Sequence, residues 1–220
     1  APLRFGMALQ RYGGTMVIME RFDAEYALQL IDRYGVTHSQ WVPTMFIRLL
    51  RLDESVRARH DTSSMKFAIH GAAPITVATK EAMIDWWGPT LFEYYGGTEG
   101  NGGTLITSKE WLEHKGSVGK DVYANIYILD SEGRQLPAGE IGTIYFANGR
   151  EFEYFNDPEK TRASRTSDGL STLGDVGYLN EDRYLFLTDR KADLIISGGV
   201  NIYPQEIEKA LIDHPKIDDV

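Results

Sequence analysis

"EYYGGTEG" occupies residues 93–100. It sets two tyrosines before two glycines, then a hydroxyl, a carboxylate and a third glycine. One reading is a tight turn after a strand, carrying ordinary surface residues. The other is backbone laid against a nucleotide, with Thr98 and Glu99 handling phosphate and metal. Glycine lets a backbone approach a flat ligand with no Cβ in the way. A threonine hydroxyl can donate to a phosphate oxygen, and a carboxylate is the hard oxygen ligand that magnesium prefers. The flanking sequence decides between the two.

Upstream, "FDAEYALQLIDRYG" (22–35) reads as a capped helix: Asp23 at the N-cap, Ala24, Ala27, Leu28 and Ile31 on one face, Gly35 placed to end it. "VTHSQWV" (36–42) reads as a strand, and Pro43 opens a second apolar helix running to Leu52. "KFAIHG" (66–71) is a short buried strand, "TVATKEAMIDWW" (76–87) a helix, and "LFEYYG" (91–96) another strand. Strand and helix thus alternate from about residue 22 to 95, the pattern of a parallel sheet in a layered α/β domain. The quoted stretch leaves the C-terminal end of a strand, the edge at which open α/β sheets bind ligands.

After Gly119 the texture changes. "NIYILDSEGRQLPAGEIGTIYFA" (125–147) carries two strand-like runs, turn clusters at 130–133 and 137–140, and no helical period; "GYLNEDRYLFLTDR" (177–190) adds a hairpin. Residues 119–188 are expected to form a small β subdomain. "DLIISGGVNIYPQEIEKALIDHP" (193–215) reads as strand, glycine turn, strand, then a helix opened by Pro204 with Ile207, Ala210 and Leu211 on one face. That is the opening of a further domain.

Bulk properties narrow the function class. The 220 residues are 42% hydrophobic and 25% charged, enough for a real core. A net charge of -9 argues against a non-specific nucleic-acid binder. No apolar run approaches the ~18 to 20 residues of a membrane span. With no cysteine, disulfides, thiolate catalysis and cysteine-zinc sites are excluded, and a reducing, cytoplasmic setting is expected. The histidines at 38, 60, 70, 114 and 214 have no metal-ligand spacing. "GSVGK" (116–120) ends like a phosphate-binding P-loop, but its spacing is too short and Asp121 stands where Ser or Thr is required.

"HGAAPI" (70–75), "YYGGTEG", "GSVGK", "STLGD" (171–175) and "DRKADLIISGGVNIYPQEIE" (189–208) follow one another in an order that resembles the adenylate-forming enzymes, most closely the fatty acyl-CoA synthetases. The resemblance implies an α/β fold: part of a layered adenylate-forming large domain over 1–118, the β subdomain over 119–188, a hinge at 189–192, and the start of a small α+β domain over 193–220. It implies ATP-dependent activation of a carboxylic acid, fatty acid foremost, as acyl-AMP, then transfer to CoA, with Mg2+ required. A carrier protein as acyl acceptor is the second reading, and a catalytically incomplete nucleotide- or acyl-binding module the third.

Residue by residue, the resemblance assigns Gly71, Ala72, Ala73, Glu93, Tyr94, Tyr95, Gly96, Gly97 and Thr98 to the nucleotide. Thr98 and Glu99 become the catalytic pair, with Glu99 on the metal. Asp175 and Arg190 fall on the ribose, where a carboxylate suits paired hydroxyls and a guanidinium an anionic neighbour. Without the resemblance, Asp175 reads as a cap on the turn after Gly174, and Arg190 as a solvated charge in the run 189–191. Ser197, Gly198 and Gly199 would line the pantetheine tunnel, and Ala192 would be the hinge residue, where the family usually carries Asp or Lys. The family's Ser/Thr/Gly-rich phosphate loop and its C-terminal catalytic lysine have no counterpart in these 220 residues, so an interior fragment, inactive alone, is expected.

Overall fold

The computed structural model describes residues 2–190, 195–197, 200–212, 214, 216, 217 and 220. The chain divides into two compact units, Ala1–Phe92 and Glu93–Val220.

The first unit opens with α1 (Pro2–Arg11) and α2 (Ala24–Tyr34). The Asp23 carboxylate accepts the Tyr26 N–H at 2.8 Å, satisfying one of the orphan donors of the first turn. Gly35, at φ 56°, closes α2 in the left-handed conformation. α2 buries Ala24, Ala27, Leu28, Leu30 and Ile31. Next come β1 (His38–Trp41), α3 (Pro43–Leu50), a single turn α4 (Glu54–Arg57) and β2 (Phe67–His70). β1 and β2 pair in parallel, from His38 opposite Phe67 to Trp41 opposite His70. Parallel neighbours need a crossover connection, and α3 with α4 supplies it. Pro43 sits at the first helical position of α3, where its missing N–H costs nothing.

An aromatic cluster fixes this core. Phe46 is fully buried; its ring lies 5.6 Å from Trp41 and 6.1 Å from Trp87, and Trp41 lies 5.3 Å from Trp87. Burying Phe46 contributes on the order of 1.5–3 kcal/mol. α5 (Val77–Trp87) begins at Thr76, whose hydroxyl accepts the Thr79 N–H at 3.2 Å.

β3 (Leu91–Tyr95) carries the chain from the first unit into the second. There β4 (Thr104–Thr107), α6 (Ser108–Glu113) and β5 (Lys120–Asp121) follow. α6 starts with a capping box: Thr107 accepts from the Glu110 N–H, and the Glu110 carboxylate accepts from the Thr107 N–H at 3.0 Å. The Thr107 N–H and, at 2.7 Å, the Thr107 hydroxyl both donate to this carboxylate and hold the Glu110 carboxyl below its usual range, the backbone bond being the larger cause.

β6 (Asn125–Leu129) and β7 (Gly142–Ala147) pair antiparallel, a short α7 (Pro158–Ala163) interrupts, and β8 (Asp175–Leu179) and β9 (Leu185–Arg190) complete a sheet of order β6-β7-β8-β9. Strand alternation sends Ile126, Ile128, Ile144 and Phe146 into one core with Val118, Leu179 and Leu185. β10 (Ile195–Ser197), β11 (Val200–Ile202) and α8 (Pro204–Ile212) are the last elements among the described residues, with β10 and β11 antiparallel. The sequence reading passed over α1, α4, α6 and α7. α4, α6 and α7 span less than about two helical turns, too few for a hydrophobic period to register. For α6 and α7 only the cap residues, Thr107 with Glu110 and Asp157 with Pro158, announce a helix.

Candidate active site

The glycines of the turn after β3 have identifiable work. Gly96 has φ 156°, and a Cβ there would stand 2.9 Å from the Gly102 carbonyl oxygen and 3.3 Å from Gly103 Cα. The turn thus folds back directly onto Gly102 and Gly103, which lead into β4. Gly97 answers a different demand. A Cβ on Gly97 would fall on Glu99 Oε2 and within 2.9 Å of a Leu173 methyl. The pair therefore serves the chain's own packing, and Gly97 in particular clears room for the Glu99 carboxylate.

Two separated motifs meet here. The Tyr95 phenol donates to Asp175 Oδ2 at 2.6 Å, and the Tyr95 ring lies 6.3 Å from Phe146 in the sheet core. Asp175 begins β8 and is the register partner of Arg190 at the end of β9. It is therefore the first residue of a strand, directly after the turn at Gly174. The reading of 189–191 as a solvated charge run fails at Asp189, which is 2% exposed and accepts the Gln205 N–H of α8 at 3.4 Å.

Thr98 and Glu99 form one side of an open pocket of about 430 Å³, with residues 150–155 lining the other. Glu99 Oε1 accepts from the Tyr154 phenol at 2.9 Å, and the Thr98 hydroxyl lies 3.4 Å from Glu99 Oε2. Burial first, and then the bond and charge of Glu99, push the Tyr154 hydroxyl up to about 12. It is therefore the donor throughout the neutral pH range. Tyr154 was not among the residues anticipated. Its signal was "EYFNDPEKT" (153–161), an aromatic residue just ahead of the Asp157–Pro158 helix start.

In the first unit, Gly71, Ala72 and Ala73 directly follow β2, with Gly71 buried and both alanines exposed. Ala72 has φ 71°, a left-handed conformation that costs an alanine roughly 1–2 kcal/mol. Ala72→Gly is expected to stabilise the protein by about 0.5–1 kcal/mol, the relieved strain exceeding the added unfolded-state entropy. A urea midpoint shifted upward at constant m checks it; an unchanged or lower midpoint counts against strain at this position. On β3, Glu93 is 4% exposed and Tyr94 half-buried. Ser197 ends β10 opposite Val200. Ala192, Gly198 and Gly199 lie outside the described residues.

Among the described residues, no group of three or more His, Asp or Glu could hold a metal ion. Magnesium does not need one, because it commonly takes one or two carboxylates and completes its shell with water and substrate phosphate. A braced Glu99 beside an open pocket suits that mode. Also among the described residues, no helix is long and apolar enough to cross a membrane.

The family model of the AMP-binding enzymes matches residues 4–150. The chain belongs to this family. Among its relatives, a fatty acid–[acyl-carrier-protein] ligase of Streptomyces coeruleorubidus is 34% identical over 93% of the chain and 40% of its own length. A long-chain-fatty-acid–CoA ligase of Bacillus subtilis is 34% identical over 96% of the chain and 38% of its own length. The o-succinylbenzoate CoA synthetase of Bacillus subtilis, solved with ATP and magnesium ion, superposes with a TM-score of 0.83 at 31% identity, covering 98% of this chain and 44% of that one. The chain spans about two fifths of the length of the curated relatives it matches. The fold is that of the AMP-binding, adenylate-forming enzymes, as the motif order implied.

Proposed function

We propose that the protein carrying this chain is an AMP-forming acyl-CoA synthetase acting on fatty acids. The observation that carries the reading is the convergence in the second unit: Tyr95 of the glycine turn bonded to Asp175, with Thr98 and Glu99 opening on a pocket just beyond. In this reading Asp175 and Arg190 hold the ribose, and Gly71 to Ala73 with Glu93, Tyr94 and Tyr95 frame adenine and acyl group. Gly96, Gly97 and Thr98 face AMP, and Thr98 donates to phosphate.

Magnesium, held by Glu99, would offset the negative charge of the phosphates. The carboxylate of the acid attacks the α-phosphorus, forming acyl-AMP as pyrophosphate leaves. The CoA thiol then attacks the acyl carbonyl, giving thioester and AMP. Ser197, Gly198 and Gly199 are assigned to the pantetheine arm and Ala192 to the hinge. The functional division into 1–118, 119–188, 189–192 and 193–220 is distinct from the split into compact units. The absence of cysteine is in keeping with a cytoplasmic enzyme.

A carrier protein as acyl acceptor is the second reading, favoured by the fatty acid–[acyl-carrier-protein] ligase among the relatives. The complete protein is expected to exchange pyrophosphate into ATP only when a fatty acid is present, and to release AMP stoichiometrically on adding CoA. AMP release with a phosphopantetheinylated carrier but not with CoA would favour the second reading. No exchange with any carboxylic acid would reject both and leave a binding module. The 220 residues alone, without phosphate loop or catalytic lysine, are expected to be inactive.

A further inference from the structure

We propose that Tyr154 is a positioning residue for Glu99, holding one carboxylate oxygen so that the other is presented to a divalent cation and its phosphate ligands. The inference rests on the reading of Glu99 as a metal ligand and deepens it by naming the group that orients that ligand.

Glu99 stands on a turn, and a free glutamate there would sample several rotamers. Tyr154 removes that freedom at Oε1 through its bond of 2.9 Å. Oε2 is left on the side that Gly97 keeps clear, near the Thr98 hydroxyl. The choice of donor matters. Lysine or arginine at this distance would fix the carboxylate equally well but would cancel the charge that attracts a cation. A neutral phenol fixes it and leaves the charge intact. Arg150 lines the same pocket, yet the oxygen is held by the tyrosine.

Tyr154 is itself held. Its ring packs edge-on to Phe152 at 5.4 Å, and Lys160 Nζ lies 4.1 Å from its centroid. Its N–H donates to Thr161 Oγ1 at 3.0 Å, and that hydroxyl donates to the Asp157 carbonyl at 2.8 Å. Asp157 caps α7, and Pro158 starts it. A short helix outside the sheet thereby braces the tyrosine that braces Glu99. Groups that orient metal ligands typically govern affinity by about 10- to 100-fold.

The test uses the complete protein with Mn2+ as a paramagnetic probe, titrated by electron paramagnetic resonance with a non-hydrolysable ATP analogue. Tyr154→Phe keeps the ring and removes only the hydroxyl. It is expected to weaken Mn2+ binding about 10- to 100-fold, while metal-free analogue affinity stays at the parent's level. A ring that merely fills space would leave Mn2+ affinity unchanged, and that result overturns the proposal. Glu99→Gln, measured alongside, separates the two claims. If Glu99→Gln loses the metal and Tyr154→Phe does not, only the role of Tyr154 fails. If Glu99→Gln binds Mn2+ like the parent, the assignment of Glu99 itself fails. In the Glu99→Gln background, Tyr154→Phe should bring no further loss; a full additional loss would also overturn the proposal.

Discussion

Gly97→Ala in the complete protein is expected to lower fatty-acid-dependent pyrophosphate exchange about 100- to 1000-fold, the usual effect of losing one preorganised electrostatic group. The reason lies in what the added methyl would meet. Its neighbours are Glu99 Oε2 and the Leu173 methyls, all at the ends of flexible side chains. Both can move aside, so the fold survives at a cost of about 1–3 kcal/mol, typical of overpacking. What does not survive is the carboxylate position. Gly96 behaves differently: its methyl would strike the Gly102 backbone at a φ of 156°, so alanine there attacks the fold itself. The decisive comparison for Gly97→Ala is exchange rate against urea stability. A variant that is destabilised yet exchanges at the parent's rate would show that Glu99 need not sit where it does.

Asp175→Ala is the second large effect. It is expected to weaken ATP by about 1.5–3 kcal/mol, the worth of a hydrogen bond to a charged group, while fatty acid affinity hardly changes. Calorimetric titration separates the two ligands. Tyr95→Phe should weaken ATP less, because it removes only the donor that orients Asp175 from 2.6 Å. The double variant should be no worse than Asp175→Ala alone, as expected for residues in one network. Unchanged ATP affinity in Asp175→Ala would reduce Asp175 to a partner for Tyr95 and remove it from the ribose.

The first unit was largely legible in the sequence because its signals are local. Asp23 and Gly35 bracket α2, an apolar face recurs between them, and Pro43 marks the start of α3. β6 to β9 were legible from alternation and turn chemistry. Asp130, for example, accepts from the Glu132 and Arg134 N–H groups at 2.8 and 2.9 Å in the turn between β6 and β7. The bonds at the site were not legible. Tyr95 and Asp175 are separated by 80 positions and Tyr154 and Glu99 by 55. Neither contact follows from any period along the chain; both depend on strand register and on where α7 sits. Nor could the sequence say that Gly97 yields to a carboxylate two residues on. From composition, a glycine that clears space for its own chain is the same as one that clears space for a ligand.

The bond between Tyr95 and Asp175 also has a consequence for the newborn chain. At about 5–20 residues per second, synthesis places roughly 4 to 16 s between the two residues. For that interval the glycine turn leaves the ribosome with its tyrosine lacking the Asp175 acceptor and with no β8 in existence. On the proposed assignment of Asp175 to the ribose, ATP could not template this half of the protein early. Binding of the assigned kind becomes available only once the last strands of the antiparallel sheet have been made and paired.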